Sequence, residues 1–309
     1  MIKYKCSLYD DPIYIYLREE YRLTLLRILN IAYLSQIMFE SLIKDLSQHN
    51  DVVAILLGGS RATHHHDTIS DYDVYVYTSK PIDENIRKSI IAPYVSYMEY
   101  SNNFWELEDD GTLNNGIDIE FIYRDINHIE VNLINTVDGN ISNGYSTCIL
   151  DNFMNSKIIF EKDQVITKIR NKIIHMDWTP MFDKIVIENM KLLRDLMPSI
   201  YYQIEKAIKR HDIISINHRL TAYFSIAFDV LFALNKTLHP GEKRLLELIK
   251  TLVILPKDFE HLVNDVFKIA FIDSKKSLES LDILTTNIYD LVLEQGYSIT
   301  KYSFENKDK

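Results

Sequence analysis

Residues 51–77, DVVAILLGGSRATHHHDTISDYDVYVY, set two of the chain's eight glycines side by side between two apolar runs. DVVAILL, at 51–57, is β-branched and aliphatic and stops at Gly58-Gly59, which predicts a buried strand meeting a sharp turn. DYDVYVY, at 71–77, alternates, with Asp71, Asp73, Tyr75 and Tyr77 on one face and Tyr72, Val74 and Val76 on the other. GIDIEFIY, at 116–123, predicts a third strand with Asp118 and Glu120 sharing a face.

Outward from these strands the pattern becomes helical. Residues 13–47 carry apolar positions at three- and four-residue spacing without glycine or proline, as a long helix or helical pair would. Asp83 to about Tyr97, interrupted by Pro93, is predicted to be helical, and 101–115 a polar, acidic connection. From Tyr145 to His239 there is no glycine, and runs such as IVIENMKLLRDLM have helical spacing. Thr179-Pro180 suits a helix start, Pro198 a break, and His239-Pro240-Gly241 an interruption before a helix beginning at Glu242. The tail from Ser303 is expected to fray. The fold class is α/β (α+β): a small mixed β-sheet domain with flanking helices over 1–165, including an N-terminal helical extension, then an all-α bundle over 166–309 closing a cleft.

Composition narrows the partners. The chain has 309 residues and a net charge of −10, from 34 basic and 44 acidic side chains. That balance disfavours a phosphate-tracking surface for nucleic acid and suits a small or cationic partner. Cys6 and Cys148 have neither metal nor redox spacing, so a reducing, cytoplasmic setting is expected. The N-terminus lacks a secretory signal pattern, and FSIAFDVLFAL at 224–234 is too short to span a bilayer, so no membrane segment is expected.

Two carboxylates on one face of a strand repel each other and are costly to bury without a cation between them. Hard oxygen ligands of this kind suit Mg²⁺, which keeps several waters and is completed by substrate phosphates. Asp71 and Asp73, with Asp118 and Glu120 on a second strand beside a Gly-Gly-Ser turn, describe a phosphoryl- or nucleotidyl-transfer site. Glycine lets the backbone approach a polyphosphate closely, and Ser60 adds a hydroxyl donor.

The arrangement GGSR(x9)DYD followed by IDIEF resembles the DNA polymerase β-like nucleotidyltransferase superfamily, in its minimal bacterial, antibiotic-modifying form. GYSTCILDNFMNSKIIFEKD at 144–163 and LNKTLHPGEKRLLELI at 234–249 resemble an uncharacterised bacterial family that fuses this domain to a helical C-terminal domain. The resemblance implies two Mg²⁺ ions, with Mn²⁺ a substitute, held by Asp71, Asp73 and Glu120. It implies ATP or another NTP bound at Gly58, Gly59, Ser60, Arg61, Ser70 and Lys243. Glu120 or Asp118 would be the third acid, which completes the metal site or activates the acceptor hydroxyl. The acceptor would be a small hydroxylated molecule, such as an aminoglycoside- or lincosamide-like antibiotic, for which a cationic character fits. A protein or tRNA acceptor, and a silent nucleotide-binding regulatory or antitoxin-like module, are the alternatives. One departure is that Thr63-His64-His65-His66 stands where such proteins often carry a glycine.

Other residues admit two readings. His64–His66 suit a partly exposed loop better than a zinc site, because adjacent rings point in different directions. Arg61 either reaches phosphate or pairs with Asp67 or Asp71. Lys243, at an expected helix start, is disfavoured by the helix dipole and suits an anion. Asp229, inside an apolar helix, either faces the cleft or pairs with a core Arg or Tyr. Glu106, Glu108, Asp109 and Asp110 with Trp105 either attract a cationic acceptor or form a solvated hairpin loop.

Overall fold

The structure, a computed structural model, describes residues 34–62, 70–140 and 144–299, without the side chains of Ser60 and Ala62. The predictions for 13–33, for the three histidines and for the tail from Ser303 lie outside the described residues.

Six strands form one mixed sheet in the order β3-β4-β5-β2-β1-β6. They are β1 (Val52–Leu57), β2 (Tyr72–Thr78), β3 (Val95–Asn102), β4 (Leu107–Leu113), β5 (Asp118–Asp125) and β6 (Lys157–Glu161). Only the central β2 and β5 pair in parallel; every other pairing is antiparallel. Alternation along these strands sorts the side chains by face. Val74, Val76, Ile119 and Phe121 turn to a core covered by helix α1, residues 34–47, through Phe39, Leu42, Ile43 and Leu46. Each such side chain taken fully out of water contributes about 1.5–3 kcal/mol. Phe39 stacks on Tyr72 with ring centroids 4.2 Å apart and planes inclined by 13°.

The sharp turn expected at Gly58-Gly59 ends β1 and leads directly into a one-turn helix, α2 (Gly59–Ala62). Two expectations are corrected within the sheet. The helix predicted over 83–97 ends at Ile91: α3 (Glu84–Ile91) starts where the Asp83 side chain accepts from the Asn85 amide (2.8 Å), and a 3₁₀ turn containing Pro93 stops it. Residues 95–102 and 107–113 are the strands β3 and β4, where 101–115 was expected to be a connection. Asp109 on the core face of β4 is fully buried against Arg87 of α3. Arg87 Nε and Nη2 reach its two carboxylate oxygens at 2.7 and 2.9 Å, and Nη1 donates to the Ile82 carbonyl. A charged residue therefore occupies a core position because another element supplies its counter-charge.

The chain forms two compact units. One comprises residues 1–126 and 157–166, the other 127–156 and 167–309. β6 belongs to the sheet unit, pairing with β1, although its sequence lies within the glycine-free stretch read as helical. The second unit contains α4 (Ile126–Val137), α5 (Cys148–Asn155), α6 (Val165–Ile174), α7 (Thr179–Met190), α8 (Ile200–Lys209), α9 (Ile213–Leu234), α10 (Leu245–Leu248), α11 (Phe259–Ile269) and α12 (Ser274–Glu294), with α4 and α6 beginning at the boundary. The helix expected from Glu242 starts at Leu245, and Arg244 before it has φ 58°. Among the described residues no helix is long and apolar enough to cross a membrane.

Candidate active site

The face of the sheet opposite the α1 core carries acids in register. Asp73 on β2 is paired with Glu120 on β5, Glu120 with Asp110 on β4, and Asp110 with Glu99 on β3. Directly paired residues project to the same side with strands about 4.8 Å apart, so four carboxylates form one rank across four strands. Glu108, two residues from Asp110, joins it: Glu108, Asp110 and Glu120 have carboxylate oxygens all within 4.8 Å of one another. Like charges facing each other across a sheet are destabilising.

The titration shifts carry the same message. Burial pushes the Glu120 carboxyl up to about 7, reinforced by the negative charges of Glu108, Asp73, Asp110 and Asp71 in that order. Burial, then the Asp110 charge, raises Glu108; burial, with Asp109 and Glu99 adding to it, raises Asp110. Glu108 is only 6% exposed.

Asp71 is exposed just before β2, and Asp118 is exposed at the start of β5, where it accepts from the Thr112 hydroxyl at 2.8 Å. Both line a cavity of about 460 Å³ together with Tyr97, Glu99, Asp110 and Glu120. No basic side chain lines it among the described residues.

The glycine turn meets this rank at Asp73. The Gly58 amide donates to the Asp73 carbonyl at 2.8 Å. Gly59 has φ 59°, and a Cβ built on it would lie 1.6 Å from Asp73 Oδ2. Glycine takes this left-handed backbone without strain, and any side chain here would have to displace the Asp73 carboxylate. Arg61, on α2, donates through Nε to the carbonyls of Ser70 (2.7 Å) and Asp71 (3.0 Å), with no bond to the Asp71 carboxylate.

Of the residues singled out in the sequence, Gly58, Gly59, Arg61, Ser70, Asp71, Asp73, Asp118 and Glu120 lie at this end of the sheet unit. Ser60 falls on the same turn by its backbone. Lys243 is an exposed residue of the helical unit, outside any helix and two residues before α10, so the helix-start argument for it does not hold. Asp229 pairs with neither an Arg nor a Tyr. It is buried and accepts from the Ser146 amide (3.2 Å) and hydroxyl (2.5 Å) and from Asn189 Nδ2 (2.9 Å). Burial raises its carboxyl, and those neutral donors offset part of the rise. Glu99, Glu108 and Asp110 are the acids of the rank that the sequence did not place beside Asp73 and Glu120. The signal for the last two, alternation through LEDDGTL, is masked by Asp109 on the opposite face.

The donor set fits a hard divalent cation: it is all carboxylate, partly desolvated, and cradled at Asp73 by a residue without a side chain. No family model matches the chain, and no curated protein matches it. Several solved structures resemble it, two of them as follows. One is a nucleotidyltransferase-like protein from Exiguobacterium sibiricum, 11% identical over 86% of this chain and 77% of that one, with a TM-score of 0.39. The other is an aminoglycoside 6-adenyltransferase from Bacillus subtilis, 10% identical over 89% and 96%, with a TM-score of 0.33. Neither superposes closely enough to assign an activity.

Proposed function

We propose that this protein is a metal-dependent nucleotidyltransferase that moves a nucleoside monophosphate, with ATP the expected donor, onto a hydroxyl of a small acceptor and releases pyrophosphate. The observation that carries the reading is the rank Asp110–Glu120–Asp73, with Gly59 packed against Asp73. A rank of acids raised by burial and by one another's charge, with the nearby Arg124 engaged by Glu106, suits a bound cation.

Asp71, Asp73 and Glu120 would hold Mg²⁺ or Mn²⁺, which supplies charge neutralisation at the phosphates and at the attacking oxygen. Ser60 and the Gly58–Gly59 backbone would lie against the triphosphate. The acceptor O–H would give its proton to Glu120, which stands in register beside Asp73. The acceptor oxygen then forms its bond to the α-phosphorus as the α–β phosphoanhydride bond breaks, and the electron pair leaves with pyrophosphate. Asp118, held by Thr112, lies at the cavity edge and would orient the acceptor. The acid-lined cavity favours a cationic acceptor such as an amino sugar over tRNA, whose phosphates it would repel.

The test incubates the four α-labelled NTPs with Mg²⁺ or Mn²⁺ against amino-sugar and lincosamide antibiotics, tRNA and the protein itself. Label is expected on a small cationic acceptor and is expected to vanish in Asp73→Ala. Transfer that survives Asp73→Ala overturns the metal assignment, and labelled tRNA or protein overturns the acceptor class.

A further inference from the structure

Arg61 stands next to the Gly-Gly-Ser turn, where the sequence suggests a phosphate ligand. Its contacts lead elsewhere. The single Nε–H is shared between the Ser70 and Asp71 carbonyls, nine and ten residues on, as a three-centre bond. The guanidinium lies over the Tyr72 ring, 4.0 Å from its centroid. That ring is itself stacked on Phe39 of α1, and both belong to the sheet's apolar core. Arg61 therefore rests on an aromatic shelf anchored in the core and grips the two peptide carbonyls where the chain enters β2.

We infer that Arg61 is a positioning residue, which clamps the Ser70–Asp71 backbone onto the Tyr72–Phe39 shelf and so sets Asp73 in the carboxylate rank and Asp71 beside the cavity that the rank lines. The clamp acts from one side of Asp73 and the Gly58 amide, on the Asp73 carbonyl, from the other. Lysine cannot replace it, because an ammonium has no planar face to stack while donating in that plane. The inference rests on the cation-holding role given to the rank above, and it removes Arg61 Nε from the atoms available to phosphate.

The experiment compares wild type, Arg61→Lys and Arg61→Ala by two measurements that need no turnover. Hydrogen exchange, followed by mass spectrometry without metal or nucleotide, is expected to speed up over residues 70–76 in both variants. Exchange over 119–124 of β5 should stay unchanged, which shows that the sheet is intact. Mn²⁺ affinity, read by electron paramagnetic resonance without nucleotide, is expected to fall about 10-fold or more in both, as for other residues that orient metal ligands. Unchanged exchange over 70–76 in the variants overturns the clamp. So does a loss of ATP binding while Mn²⁺ affinity stays at the wild-type level, which is the behaviour of a phosphate ligand. A wild-type protein that binds Mn²⁺ but transfers nothing defeats the nucleotidyltransferase reading and leaves the clamp standing. If wild type has no Mn²⁺ affinity, the cation role fails, and the exchange result alone decides the clamp.

Discussion

Glu120 concentrates the conflict that the site is built around. It has acids in register on both sides, Asp73 and Asp110, and Glu108 close by. Burial, followed by those charges, lifts its carboxyl from an ordinary 4.5 to about 7. A raised acid binds its proton more tightly when folded. The stability this contributes is present below pH 4.5 and is lost as pH rises through about 7. In EDTA, the thermal midpoint of Glu120→Gln relative to wild type is therefore expected to climb between pH 5 and pH 8. Saturating Mn²⁺ should stabilise wild type and narrow the gap. A difference that stays flat with pH would show that Glu120 ionises as an ordinary surface acid. At this scale much was legible, since two-residue spacing alone put Asp71 with Asp73 and Asp118 with Glu120. Which of the last two faces Asp73 was not legible, because it depends on the parallel register of β2 with β5.

At the scale of elements, the β3–β4 hairpin shows why local pattern runs out. LEDDGTL reads as a loop because acids occupy both of its faces, and Gly111 weakens the strand signal. In the fold, Asp109 is neutralised by Arg87 from α3, and Arg87 also lies 4.8 Å from the Tyr123 ring centroid. The Gly111 position leaves no room for a side chain, since a Cβ there would approach the Tyr97 carbonyl to 2.3 Å. Asp109→Ala strands a buried guanidinium and is expected to cost about 3–5 kcal/mol in urea unfolding. A loss below about 1 kcal/mol would mean that the pair is solvated and that the hairpin is held by its ladder alone. Because the same hairpin carries Glu99, Glu108 and Asp110, this buried pair also keeps part of the site in place.

For the whole molecule, the helical unit takes its first segment, 127–156, from before β6. That segment is tied to later helices by Ser146 to Asp229, by the His239 amide donating to Thr147 Oγ1, and by Arg170 donating to the Phe153 and Ser156 carbonyls. A fragment ending at 165 removes all those partners, and its residues 144–156 are expected to exchange their amides like unfolded chain. Native-like protection of those residues in the isolated fragment would show that they fold without the later helices. The sequence by itself determined the central strands, the glycine turn, the shared face of the paired acids and the helical character of most of the second half. Those features depend on side-chain periodicity and on backbone freedom, which are local. Only the tertiary structure decided the hairpin, the rank of acids across four strands, the grip of Arg61 and the return of β6 to β1. Each of these joins residues far apart in the chain, so that no short window of sequence contains both partners of a contact such as the buried Arg87–Asp109 pair.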